Sequence, residues 1–142
     1  MRYLLDTNVI SETRKGALAN PGVVAWLAQT PPASLWTSVL VLGELRRGVE
    51  ALRRRDPGAA DALDRWLNDH RATQADRVLV IDEQVCERWG RLGVPDPLPT
   101  VDGLLAATAL VHDMTLVTRN TRDVTRTGVT LLNPFGERPQ GN

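Results

Sequence analysis

The sequence predicts an α/β fold: a mostly parallel sheet with helices on both faces. Three observations predict it. Short apolar runs alternate with segments of helical periodicity along the whole chain. Tyr3-Leu4-Leu5 reads as a buried strand that ends in a carboxylate, Asp6, followed by a polar turn and a helix. Val78-Leu79-Val80-Ile81 is the clearest strand, with four apolar, mostly β-branched residues bounded by charge.

The elements follow in order. From Asn8 to about Arg14 the pattern is helical, ending near Lys15-Gly16. Asn20-Pro21 reads as an N-cap with proline at the first helical position, placing Val23, Val24 and Leu27 inward until Pro31-Pro32. Ser34 to Thr37 is a short strand. Ser38 caps a helix to about Leu52, with Val39, Leu42, Leu45, Val49 and Leu52 on its apolar face. A polar turn, Arg53 to Gly58, leads to a helix over Ala59 to Ala72 that buries Ala62, Leu63, Trp66 and Leu67. After the strand at Val78, Asp82 caps a helix with Val85, Cys86 and Trp89 inward. Val94 to Pro99 holds three prolines and is a loop. Thr100 caps the next helix, Val101 to about Asp113. Thr115 to Thr118 is a strand, Arg119 to Gly128 a polar loop, and Val129 to Leu132 the last strand. Residues 1–136 are expected to form one domain, and Glu137 to Asn142 a disordered tail.

The chain has 142 residues, 42% of them hydrophobic and 24% charged, which suits a folded globular unit. Its net charge is zero, so any nucleic-acid surface must be local. Cys86 stands alone, which excludes an internal disulfide and disfavours a cysteine-based zinc site. No basic start precedes a long apolar core, and Leu104 to Val111 falls well short of the roughly 20 residues that a membrane span needs. A cytoplasmic protein without a membrane span is expected.

Four acids share one kind of position. Asp6 ends the first strand, and Glu44 lies in the helix after the second. Asp102 opens the helix after the proline loop, and Asp123 lies in the loop after Thr118. In a parallel sheet, strand ends and the helix starts that follow them lie on one edge, so the four acids could converge. Carboxylates brought together repel unless a cation neutralises them. Oxygen donors with no Cys or His nearby favour a hard ion, Mg²⁺ or Mn²⁺, and the chemistry that follows is phosphodiester hydrolysis. Each acid also has a plainer reading. Asp102 suits a helix dipole, Asp123 a turn and Asp6 an Asx-turn. Glu44 is harder to dismiss, because it sits among Val39, Leu40, Val41, Leu42 and Leu45. His70 reads as a surface residue, and His112 as a cation near a helix C-terminus, so neither is taken as a general base.

Leu4-Leu5-Asp6-Thr7-Asn8-Val9-Ile10 resembles the start of PIN-domain nucleases, in particular the VapC-type toxins of bacterial toxin–antitoxin pairs. Thr37 to Leu45, Asp102 to Ala109 and Leu116 to Asp123 resemble the family's later motifs, in the family's order. The resemblance implies a three-layer α/β/α sandwich and a metal-dependent endoribonuclease leaving 5′-phosphate and 3′-hydroxyl ends. It implies Asp6, Glu44 and Asp102 as metal-binding and catalytic acids, with Asp123 or Asn120 as the fourth group. Thr7, Asn8 and Thr118, with Asn120, are expected to orient the acids. Val124 stands where the family commonly has Phe. The implied partners are an RNA substrate, a cognate VapB-type antitoxin and a second copy of the chain.

Arg46, Arg47 and Arg53 to Arg55 could hold RNA phosphates or form a solvated helix end. Trp26, Leu27 and Trp36 could line a groove for the antitoxin or belong to the core. Two rival functions stay open. One is a small phosphatase of the haloacid-dehalogenase type, although Asn8 stands where that chemistry needs a second aspartate. The other is a catalytically inactive metal- or RNA-binding module, such as a receiver-like domain.

Overall fold

A computed structural model describes residues 1–136. Among them, β1 (Tyr3–Leu5), β2 (Leu35–Ser38), β3 (Val78–Leu79), β4 (Thr115–Val117) and β5 (Leu131–Leu132) form one all-parallel sheet. Its order is β3-β2-β1-β4-β5. The chain therefore starts in the middle, builds outward to one side through β2 and β3, and returns to build the other side. That reversal lies between β1 and β4, where the connections leave in opposite directions and open a crevice at the carboxyl ends of the strands.

The helices are α1 (Thr7–Glu12), α2 (Pro21–Ala28), α3 (Val39–Arg53), α4 (Pro57–Thr73), α5 (Glu83–Leu92), α6 (Thr100–Val111) and α7 (Thr121–Val124). Polar caps start several of them. Asn20 Oδ1 accepts from Gly22 N and Val23 N, Ser38 Oγ from Leu40 N, Asp56 Oδ1 from Ala59 N and Asp82 Oδ1 from Val85 N. Leu4, Val9, Ile10, Leu105, Leu116 and Val117 pack the core around β1, β4, α1 and α6. Ala106, Ala107 and Ala109 are fully buried, and their small side chains let α6 lie close to its neighbours. Truncating Leu4, which is 0% exposed, removes about 2–5 kcal/mol of stability.

α3 and α4 form an antiparallel pair laced by charge. Arg46 lies 3.0 Å from Asp64, and Arg53 reaches Asp61 at 2.7 Å and Asp64 at 3.2 Å. These arginines, offered above for phosphate, are thus partnered within the fold, which leaves Arg47, Arg54 and Arg55 of that group exposed.

Several local expectations need correction. The strand at Val78 stops at Leu79, and Val80 is 60% exposed. β3 is an edge strand whose neighbour β2 turns into α3 after Ser38, so Val80 and Ile81 have nothing to pair with. Val24, Val39 and Cys86 face outward rather than inward, whereas Trp89, 38% exposed, lays one edge of its ring over Gly103 of α6. On α2 the buried residue is Val23, on α3 the buried stripe is Val41, Leu45 and Val49, and on α5 it is Val85. α5 packs mainly against α6, and Val85 is its one fully buried residue. Ala62 is also exposed, its place on α4 being taken by Ala60. Pro99, not Thr100, holds the cap position of α6, without a side-chain hydrogen bond. The loop after β4 contains α7. His70 is half-buried, its ring stacked on Trp66 with centroids 5.5 Å apart. Burial holds its pKa below the ordinary imidazole value. Trp66 and His70 are one turn apart on the covered side of α4. The expected tail, Glu137 to Asn142, lies outside the described residues.

Candidate active site

Asp6 ends β1 at the crevice and is 7% exposed. Three groups from two adjoining segments fix it. Thr118 Oγ1 donates to Oδ2 at 2.8 Å, Thr7 N donates to Oδ1 at 2.7 Å, and Asn8 Nδ2 lies 3.5 Å from Oδ2. Thr118 directly follows β4, so neighbouring parallel strands bring two polar ends together. Its hydroxyl also accepts from Asn120 N at 3.0 Å, and Asn8 Oδ1 accepts from Arg119 N at 3.3 Å. The turns after β1 and β4 are thereby locked to each other across the crevice.

Glu44 projects from the second turn of α3. Thr7 Oγ1 donates to its Oε1 at 2.6 Å, which ties α3 to the start of α1. Asp102 lies in the first turn of α6 and Asp123 in α7. Asp102 is half-buried and Asp123 exposed.

The electrostatics put the four acids in one neighbourhood. Burial raises the pKa of Asp102 first, and the charges of Asp6, Asp123 and Glu44 raise it further. Burial also raises Asp6. The hydrogen bonds from Thr118 and Thr7 work against that, and the charge of Glu44 adds to it. None of the four takes part in an ion pair among the described residues. Negative charge is therefore concentrated without a protein cation to offset it.

Among the described residues, no three His, Cys, Asp or Glu side chains stand close enough to chelate one ion as they are. Glu44 is instead turned onto the Thr7 hydroxyl. The donor chemistry nonetheless fits a hard divalent cation: all the candidates are carboxylates, and two have pKa values raised first by burial and then by the charge of acidic neighbours. Of the two candidates for the fourth position, Asp123 acts on Asp102 through its charge. Asn120 engages the site through its backbone N–H. Val124 is buried, at 2% exposed.

Trp26, Leu27 and Trp36 are half-buried and pack against the core, Trp26 standing edge-on to Tyr3 at 5.1 Å between ring centroids. One acid escaped the sequence reading. Glu12, on the same face of α1 as Asn8 and one turn further on, is only 3% exposed. It accepts from Lys15 Nζ at 3.1 Å and from Asn20 N at 3.4 Å. Its place four residues after Asn8, beside Val9 and Ile10, was the available signal.

Residues 3–128 match the PIN domain family. Over 137 residues the chain is 32% identical to Toxin FitB of Neisseria gonorrhoeae, covering 93% of this chain and 97% of that protein. It is 30% identical to VapC ribonuclease Y4jK of Sinorhizobium fredii over 140 residues, 93% and 96% of the two chains. The solved structure of FitAB bound to an IR36 DNA fragment superposes with a TM-score of 0.85 at 30% identity, covering 98% of this chain and 99% of the other.

Proposed function

The chain belongs to the PIN-domain family, as a toxin of the VapC/FitB type, and from that premise we propose how it acts. It is a ribonuclease toxin of a type II toxin–antitoxin system. Asp6, Glu44, Asp102 and Asp123 form the catalytic acid cluster, and residues 1–136 act as a single nuclease domain. The observation that supports this best is the unneutralised charge at the crevice: Asp102 is raised by burial and by all three other acids.

The four carboxylates would hold Mg²⁺, with Mn²⁺ as a substitute. When bound, such an ion supplies charge neutralisation at the phosphoryl group and acidifies water. The chain's own residues do the rest. Thr118, Thr7 and the Asn8 side chain keep both oxygens of Asp6 aimed at the crevice. The Thr7 hydroxyl holds Glu44 in reserve beside them. Water attacks phosphorus, the P–O3′ bond breaks and the 3′ oxygen takes up a proton, leaving 5′-phosphate and 3′-hydroxyl ends.

The structures of FitAB and of VapBC from Haemophilus influenzae are toxin–antitoxin complexes, and the partner of this chain is a cognate antitoxin of that kind. A groove of about 300 Å³ lined by Arg14, Leu52, Leu63 and Trp66 would suit an apolar segment of it. A homodimer and a cytoplasmic location complete the reading. No helix among the described residues is long and apolar enough to cross a membrane, and Val24 and Val39 leave apolar surface on α2 and α3 for a second copy. The test is cleavage of single-stranded RNA by the purified chain, with and without EDTA. Metal-dependent cutting that Asp102→Ala abolishes while the fold persists supports the reading. Cutting by Asp102→Ala at the wild-type rate refutes it.

A further inference from the structure

Segment 133–136 runs back to the start of α2 and is held there tightly. The Asn20 side chain, besides capping α2, donates from Nδ2 to Gly136 O at 3.0 Å and accepts from Gly136 N at 3.0 Å. Asn133 Oδ1 accepts from Phe135 N at 2.9 Å. Gly22 lies so close that a Cβ there would run into the backbone of Pro134 and Gly136. This clasp presents one group to the catalytic edge. The Phe135 ring lies under the guanidinium of Arg119, 4.0 Å from its central carbon to the ring centroid.

Arg119 follows Thr118 directly, and its N–H is bonded to the side chain of Asn8. Its backbone is thus part of the lock around Asp6. It is exposed, and it makes no ion pair within 4.0 Å among the described residues. Its charge lowers the pKa of Glu12 but is not among the influences on Asp6 or Asp102. The guanidinium makes no ion pair with the acid cluster among the described residues. It stands to one side, stacked on an aromatic face with its N–H edges open, which is the geometry that suits bidentate contact with a phosphate.

We propose that Arg119 is a phosphate-binding residue that anchors the RNA strand beside the acid cluster, and that the clasp at 133–136 holds it in place through Phe135. An anchor of this kind binds a phosphate flanking the scissile one, so it governs affinity and register rather than the bond-breaking step. The inference rests on the ribonuclease reading, but its test does not require cleavage.

The experiment measures binding of a short single-stranded RNA to the full chain in EDTA, at several salt concentrations. Wild type, Arg119→Gln, Arg119→Lys and Phe135→Leu are compared, with circular dichroism to check folding. Arg119→Gln should weaken binding about tenfold and flatten the slope of log affinity against log salt by about 0.7, the loss of one phosphate contact on a single strand. Arg119→Lys should keep the slope and recover part of the affinity. Phe135→Leu should keep the slope and weaken binding about threefold. Unchanged affinity and slope in Arg119→Gln overturn the proposal. So does an equal loss in Arg119→Lys and Arg119→Gln, which would mark a structural role. If Arg119→Gln fails to fold, Arg119→Lys and Phe135→Leu decide: weaker binding in both at an unchanged salt slope supports the proposal, and wild-type affinity in both overturns it. A wild type that binds through Arg119 but never cuts RNA refutes the nuclease reading alone. Cutting and binding that ignore Arg119 refute this inference alone.

Discussion

Asp6 and Glu12 are both buried and lie on one strand–helix segment, yet their carboxyls are pushed in opposite directions. Asp6 keeps three hydrogen-bond donors but looks toward other acids, and its pKa is raised, first by burial. Burial would also raise Glu12. The hydrogen bonds from Lys15 and Asn20 N, with the charges of Lys15 and Arg119, outweigh it and hold Glu12 below the ordinary value. What separates a structural buried acid from a functional one here is more than exposure to solvent. It is whether the fold supplies the counter-charge or leaves it to something else.

The sharpest way to break this contrast is to exchange the two fates by mutation. Asp6→Asn or Asp102→Asn should lower RNA cleavage by about 10²–10³-fold, with a melting temperature equal to or above wild type, since repulsion is removed. A melting temperature that falls with either substitution would place these acids with Glu12. Thr118→Val takes away the donor to Asp6 without touching a carboxylate. It should cost about 10–100-fold in activity while the fold persists, which cleavage rates and circular dichroism would check together. Glu12→Gln should do the reverse: about 1–3 kcal/mol less stability in urea melts, because Lys15 loses its partner, with activity per folded molecule near wild type.

The smallest effect is the most diagnostic, because its sign differs between the two regions. Glu12 contributes stability that is present above its unfolded pKa and is lost as the pH falls through its lowered folded value. Asp6 and Asp102 work oppositely. Their raised pKa values cost stability at neutral pH, and that cost is relieved as the pH falls through them. Melts across the acid range should therefore show Glu12→Gln flattening the acid loss and Asp6→Asn steepening it. Millimolar Mg²⁺ should raise the wild-type melting temperature by a few degrees at pH 7 and not in Asp102→Asn. An equal rise in both would put the ion elsewhere.

Much of this was legible in the chain itself. Asp6, Glu44, Asp102 and Asp123 occupy the strand ends and first helix turns where a parallel sheet gathers side chains. Asn20-Pro21, Ser38 and Asp82 mark helix starts by the chemistry of their own side chains. What stayed hidden depends on non-local packing. Val80 has the composition of a strand interior, but only the sheet order reveals that its neighbour has already turned away. Cys86 falls within an apolar pattern on a helix whose buried side chain is the adjacent Val85. Glu12 looks like a solvated helix acid until Asn20 and Lys15 close over it. The meeting of Arg119 and Phe135 depends on a return of the chain that no local spacing encodes.

The two outer strands of the sheet have a consequence for how the molecule meets other chains. β3 and β5 are only two residues long, so either border offers little unpaired backbone for an incoming strand to zip onto. Runaway stacking of sheets between molecules has almost no foothold. An inhibitor peptide built to extend the sheet would fail for the same reason, whereas a helix or an irregular segment laid into the side-chain grooves would find purchase.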